Sequence, residues 1–392
     1  MTGEPEGTAT TALLMLSGNA GWIETARAQA ACLGLTRFRA VETAAEAATL
    51  LSGNRSYSHL LMDTAAAGPL LADLIDMTVG EAASQTTTVL LASADGPFRL
   101  PCPRSRLRVI DTRGDGWLAH ALASQSAEAA CAADVPISQL LATLKNGGLQ
   151  ARYQPVVCIA DGRPAGIEVL ARLDHPELGT LAPDSFVPPI ETAGFAWDLA
   201  QGVAACALRD WRGDALARLG LRLTLNAPLE VLLRPDAFDR IEALRGEQGI
   251  AAARIVVELT ETCPVTDPAP LGRVLTRLRA AGYGLAMDDV GPSMRNHEEL
   301  MGLPFTILKL DKHVVRDSAT DPHAARFLEG AVTAAHGAGM KVIAEGVEDV
   351  ATWNRMAALA VDAAQGFLIA RPLPAAIVPI WHAAWCQKRI PA

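Results

Sequence analysis

Short apolar runs recur at helix-length intervals from Ser138 to the end of the chain, and nearly every run closes on a polar or charged residue. The runs are Arg152–Ile159, Pro164–Leu170, Leu221–Leu225, Ile255–Leu259, Leu285–Met287, Ile307–Leu310, Val342–Ala344 and a weak one at Ala364–Phe367. Most of the stretches between them are amphipathic at helical spacing. Leu271, Val274, Leu275 and Leu278, for instance, share one face of the segment Pro270–Ala281. Eight strands alternating with helices over about 250 residues predict one (β/α)8 TIM-like barrel.

In such a barrel the strand ends meet on one face, where barrel enzymes do their chemistry. Here those ends deliver Glu168, Asn226, Glu258, Glu261, Asp288, Asp289, Lys309, Glu345 and Gln365. One acidic residue after a strand is usually a helix cap. The whole set in one mouth is a different matter, because so many carboxylates repel each other unless cations neutralise them. Carboxylate and amide oxygens without His or Cys suit Mg²⁺ or Mn²⁺ rather than zinc. A cluster of this size predicts two ions about 3.5–4 Å apart, a pair suited to clamping a phosphodiester and activating water.

The first 125 residues alternate strand and helix patterns and predict a doubly wound parallel sheet. Strands are expected at Ala12–Leu16, Phe38–Val41, His59–Met62, Thr88–Ala92 and Leu107–Ile110, with helices at Trp22–Leu33, Thr43–Leu51, Leu70–Val79 and Gly116–Ser124. This pattern resembles the receiver domain of response regulators. Asp63 stands where the phosphoacceptor would be, and Ser93 near the switch hydroxyl. The acidic pair after the first strand is replaced by Ser17, Gly18 and Asn19, and the late lysine by Asp111, Thr112 and Arg113. The expectation is therefore a degenerate receiver-like domain (1–125) without a Mg²⁺ site, kept for regulation or dimerisation. An Ala-rich linker (126–136) and the barrel (137–392) follow.

A net charge of −9 with no basic run argues against a nucleic-acid polymer as partner. Seven scattered cysteines, never paired as CxxC, read as reduced cytosolic thiols. The first eleven residues lack Lys and Arg, unlike a secretory signal. No apolar run reaches membrane-spanning length, so the expected location is cytoplasmic.

The barrel motifs resemble the EAL family of cyclic-di-GMP phosphodiesterases. Glu168-Val169-Leu170 followed by Arg172 is similar to the EAL signature, with Val169 in place of Ala. Tyr153-Gln154-Pro155-Val156-Val157, His175-Pro176-Glu177 and Glu258-Leu259-Thr260-Glu261 are similar to further family motifs. Asp288-Asp289, Leu308-Lys309-Leu310-Asp311, Ala344-Glu345-Gly346-Val347-Glu348 and Gln365-Gly366-Phe367 follow in family order. The layout, a receiver-like domain before the barrel, is similar to that of some response regulators.

The resemblance implies hydrolysis of cyclic-di-GMP to linear pGpG with two Mg²⁺ or Mn²⁺ ions. It implies that Glu168, Asn226, Glu258 and Asp288 hold the first metal. Asp289 would hold the second and border the substrate, with Glu345 at or beside the pair. Lys309 would hold or deprotonate the attacking water, and Gln365 would position that water or a ligand. Arg172 would contact a substrate phosphate, Gln154 would line the guanine or phosphate site, and Glu261 would brace the loop after the aspartate pair. A homodimer or higher homo-oligomer and a regulatory protein partner of the N-terminal domain are also implied. One loop departs from the family: where the family has Phe-Gly-Thr-Gly-Tyr-Ser-Ser, this chain has Val290-Gly291-Pro292-Ser293-Met294-Arg295-Asn296. That departure leaves a second reading open, a cyclic-di-GMP-binding effector or scaffold with weak or no turnover.

Overall fold

The computed structural model describes residues 12–33, 35, 37–53, 57–79, 88–92, 107–109, 118, 135–213, 215–260, 267–292, 294 and 300–387. They fall into two compact units.

The first unit is a parallel sheet of β1 (Ala12–Leu16), β2 (Arg37–Val41), β3 (His59–Asp63), β4 (Thr88–Ala92) and β5 (Leu107–Val109). Its order is β2-β1-β3-β4-β5, the flavodoxin-like doubly wound arrangement expected of a receiver-like domain. Every residue of β1 and β3 is buried, which is why both strands read as unbroken apolar runs rather than alternating ones. The helix Ala20–Cys32 begins where Asn19 Oδ1 accepts the Trp22 N–H at 3.1 Å, and it packs Ala26 and Ala30 against Leu13, Met15 and Leu61. Thr43 caps the helix Ala44–Leu51, as its sequence position predicts, with Oγ1 accepting the Glu46 N–H at 3.2 Å. Asp63 is buried and already engaged. Its Oδ1 accepts from Ala65 N at 3.1 Å, and its Oδ2 accepts from Ser17 Oγ at 3.3 Å. Ser93, residues 111–113, most of the helix expected at 116–124 and nearly all of the linker expected at 126–136 lie outside the described residues.

The second unit is a closed barrel. Its strands are β6 (Leu149–Cys158), β7 (Pro164–His175), β9 (Arg222–Pro228), β10 (Ile255–Thr260), β11 (Gly284–Val290), β12 (Ile307–Leu310), β13 (Lys341–Ala344) and β14 (Ala363–Gln365), with a short β8 (Gly179–Leu181) appended beside β7. The order β6-β14-β13-β12-β11-β10-β9-β7 closes through the pairing of β6 with β7. Seven barrel strands are mutually parallel, whereas β6 runs antiparallel to both of its neighbours. The link between β6 and β7 explains this. Asp161 Oδ1 accepts the Arg163 N–H at 3.0 Å and Gly162 takes φ 68°, which closes a tight turn. A parallel connection needs a crossover of about a dozen residues or more. Elsewhere Asp267 before Pro268 and Asp321 before Pro322 start two outer helices, each Asp capping and each Pro filling a position that needs no N–H donor. Among the described residues no helix is long and apolar enough to cross a membrane.

Candidate active site

Side chains alternate across a strand, so residues two apart share a face. The register aligns Gln154 with Glu168 across the β6–β7 pair, and Asn226 with Glu258 across β9–β10. Pairing with β11 then places Ala286 beside Glu258, and a register shift between Met287 and Val290 breaks the ladder at the aspartate pair. Asp289 takes φ 50° at this break, a left-handed conformation uncommon outside glycine but one that Asp tolerates better than most residues.

At the centre lies Lys309, 2% exposed. Its Nζ is 2.6 Å from Glu258 Oε1, 2.6 Å from Glu345 Oε1, 3.0 Å from Asp288 Oδ1 and 3.1 Å from Glu168 Oε2. Gln365 Nε2 donates to Glu168 Oε2 at 2.6 Å and to Gln154 Oε1 at 3.0 Å. Asn226 Nδ2 donates to Glu168 Oε1 at 3.3 Å. One ammonium thus faces four carboxylates in a site closed to water on most sides.

The electrostatics follow from that imbalance. Burial pushes the Glu258 carboxyl well above its usual range, with Lys309 opposing and the neighbouring carboxylates adding to the rise. Burial likewise lifts Glu345 to about 8 and Asp289 to about 6, Asp288 contributing in both cases. For Lys309 burial acts downward, but the four carboxylates outweigh it and hold the ammonium well above its ordinary value.

Four buried oxygens or carbonyl acceptors in this site have no hydrogen-bond partner: Asn226 Oδ1, Glu258 Oε2, Asp288 Oδ1 and Gln365 Oε1. Asp288 Oδ1 is within ion-pair distance of Lys309 but lacks hydrogen-bond geometry. Orphaned buried acceptors are costly and call for a partner. Asp288, Asp289 and Glu345 each offer a carboxylate oxygen within 4.8 Å of the others. An oxygen-only donor set with unsatisfied acceptors fits a hard divalent cation.

The other expected site residues divide. Gln154 joins the site through Gln365, while its Nε2 donates to the Ala370 carbonyl at 3.2 Å. Arg172 is buried on β7, and its Nη1 donates to the Ala171 carbonyl at 2.8 Å. Glu261 lies outside the described residues, as do Ser293 and 295–299 of the divergent loop.

Three residues gain structural roles that their motifs did not reveal. Gly366 packs so closely on Val347 that a Cβ would overlap its backbone, and Val347 N donates to the Gln365 carbonyl at 3.0 Å. Gly346, at φ 63°, lies against Lys312 in the same way. Together these contacts fix Glu345 and Gln365 relative to each other. Asp311 caps the helix Lys312–Asp317 and adds to the upward shift of Asp289. In each case the signal was a glycine or aspartate directly after a site residue or a site-bearing strand.

The EAL domain family model matches residues 137–372, and the chain belongs to this family. Over 250 residues it is 34% identical to the cyclic di-GMP phosphodiesterase RocR of Pseudomonas aeruginosa, covering 62% of each chain. It is 31% identical over 262 residues to the cyclic di-GMP phosphodiesterase PA2567 of the same organism, covering 67% of this chain and 44% of that one. The match therefore spans less than two thirds of either relative. Among solved structures, the PaMucR phosphodiesterase in its c-di-GMP complex superposes with a TM-score of 0.58 at 26% identity, over 61% of this chain and 98% of that one. The EAL enzyme Bd1971, in a form with cAMP and cyclic-di-GMP bound, shares the fold with a TM-score of 0.59 at 24% identity, over 63% of this chain and 68% of that one.

Proposed function

We propose that this chain is a metal-dependent phosphodiesterase that hydrolyses cyclic-di-GMP to linear pGpG with two Mg²⁺ or Mn²⁺ ions. The observation that carries the reading is the set of orphaned acceptors, Asn226 Oδ1, Glu258 Oε2 and Asp288 Oδ1, around a buried excess of carboxylate. Glu168, Asn226, Glu258 and Asp288 would hold one ion, and Asp289 with Glu345 the other. Bound there, the ions polarise a phosphodiester and lower the pKa of water. The similarity to cyclic di-GMP phosphodiesterases and the c-di-GMP complex of a structural neighbour support the substrate class.

The chain's own residues supply the rest. Lys309 is held protonated by its four carboxylate neighbours. Once those carboxylates are neutralised, burial alone acts on it and lowers its pKa, which makes it competent to accept a proton from water. Gln365 orients the water or a ligand through its link to Glu168. Arg172 and Gln154 bind the substrate outside the ion pair. In this reading the receiver-like domain serves regulation, in a response-regulator layout and a homo-oligomer.

The test is incubation of purified protein with cyclic-di-GMP and Mg²⁺ or Mn²⁺, with the products separated by chromatography. pGpG is the expected product, and Ca²⁺ should inhibit because its looser, larger coordination fits the site poorly. Saturable binding without product at micromolar enzyme assigns the chain to the effector reading instead.

A further inference from the structure

The barrel bore has a second end. Two positions along each strand from the polar layer, the same inward face carries Val156, Gly166, Thr224, Val256, Ile307 and Ile343. These residues are small or apolar, and Val256, Ile307 and Ile343 pack with Ala286 into one apolar layer that floors the lower bore. They form part of a cavity of about 1100 Å³ that opens where the parallel strands begin, away from Lys309 and its carboxylates. That volume of about 1100 Å³ lies just above the range of about 300–1,000 Å³ that small-molecule clefts enclose.

The walls and rim specify a chemistry. Trp353, on the helix Val350–Ala358, and Trp385, on the helix Val378–Gln387, add aromatic surface. Arg222 and Lys341, the first residues of β9 and β13, stand on the rim with β10, β11 and β12 between them. Both are exposed, and neither makes an ion pair among the described residues. The acids at the same mouth are already committed. Asp161 holds Arg163 at 2.6 Å, and Asp362 Oδ2 accepts from Val342 N at 2.8 Å and meets His336 Nε2 at 2.9 Å. The mouth therefore offers a ligand positive charge, and the interior offers it apolar surface.

We propose that this cavity is a binding site for a small organic carboxylate with an aromatic or branched apolar body. The body packs against Val256, Ile343 and Trp353, and the carboxylate pairs with Arg222 or Lys341. A nucleotide is a poorer fit, since Thr224 and Asn354 are the main neutral side chains that could read base edges. The site shares no residue with the carboxylate cluster, so the inference stands or falls independently of the phosphodiesterase reading.

Two free thiols make the test site-specific. Cys158 and Cys386 line the cavity, whereas Cys32 is an exposed thiol of the other unit and serves as the control. The full chain is alkylated with iodoacetamide in increasing naphthoate, and each cysteine is followed by peptide mass spectrometry. Naphthoate should slow Cys158 alkylation saturably and leave Cys32 unchanged, and the uncharged naphthalene methanol should protect less. The double charge reversal Arg222→Glu with Lys341→Glu, on exposed side chains, should raise the half-protecting concentration about tenfold or more, the loss expected for one charge-assisted contact. An unchanged melting temperature of that variant checks its fold. Unaltered Cys158 rates at millimolar naphthoate, or equal protection in the charge-reversed variant, overturn the proposal.

Discussion

Lys309 Nζ lies 2.6 Å from Glu258 Oε1 at the barrel axis, and Glu258 has no exposed surface. The ammonium occupies the middle of the same oxygen set that the proposed function gives to a divalent ion. In the metal-free protein Lys309 is thus the cation that makes a buried carboxylate cluster tolerable.

Lys309→Met should for that reason have two separable effects. Removing one partner of a buried pair costs about 3–5 kcal/mol, so the metal-free variant should melt well below wild type. Mg²⁺ should restore most of the loss by neutralising the same carboxylates. Turnover should fall by about 100-fold or more if Lys309 acts on the water, with substrate binding largely kept. Thermal melts with EDTA and with Mg²⁺, beside initial rates, check both; near wild-type kcat would remove Lys309 from the chemistry.

Glu168→Ala should behave differently. Glu168 accepts from Lys309, Gln365 and Asn226 at once, so its loss loosens the whole site. Activity should vanish, and metal-dependent substrate binding should weaken in isothermal titration. Binding that stays at wild-type strength in metal would show that Glu168 is no ligand.

Metal affinity should rise with pH. Glu345, raised to about 8, and Asp289, raised to about 6, must both be ionised to hold a cation. The half-saturating Mg²⁺ concentration should therefore fall between pH 6 and 9, with protons released on binding. The stability of the metal-free protein runs the other way. A carboxyl whose folded pKa lies above its unfolded value stabilises fully below the unfolded value of 4.5 and loses that contribution as pH rises through about 8. Melting temperatures in EDTA should decline over that window, and Mg²⁺ should flatten the decline. A metal affinity that is constant across the range would contradict the protonation argument.

Acetyl phosphate or beryllofluoride should leave the N-terminal unit unmodified. Asp63 is buried, caps its own helix and accepts from Ser17, the residue that stands where an acidic partner would hold Mg²⁺. A phosphoaspartate at Asp63 in intact-mass and peptide spectra is the outcome that defeats this expectation.

Grafting Phe-Gly-Thr-Gly-Tyr-Ser-Ser onto positions 290–296 should lower the Mg²⁺ concentration for half-maximal rate. Asp289 already adopts φ 50° at the end of β11, and Pro292 restricts the backbone three residues on. The loop path and the second ligand are therefore mechanically joined. Overlaying titration curves would make the divergence neutral for catalysis.

The barrel strands were legible because apolar runs closed on polar residues. Ile307–Leu310 matches its expected bounds, and most of the others differ only at their ends. The direction of β6 was not read, because an apolar pattern carries no direction. The clue was the short Asp161-Gly162 turn, which cannot bridge parallel strands. The site residues were legible as strand-end polar groups, but their geometry was not. That Lys309 reaches four carboxylates depends on barrel closure, and the φ of Asp289 depends on a register break, neither of which has a sequence period. The lower cavity was invisible for a related reason. Gly166, Thr224 and Ala363 are unremarkable in their strands, and only around a closed ring do small side chains add up to space.

The reversed strand gives this barrel a seam. Any of the six parallel strands β9–β14 can be exchanged, together with its helix, for a unit from an all-parallel barrel and still point the right way. The β6–β7 hairpin cannot. Gln154 faces Glu168 only in the present hairpin register, and a slip of one residue would turn Tyr153 or Pro155 inward in its place. Recombination within such barrels is therefore bounded, and β6 and β7 must travel as one block.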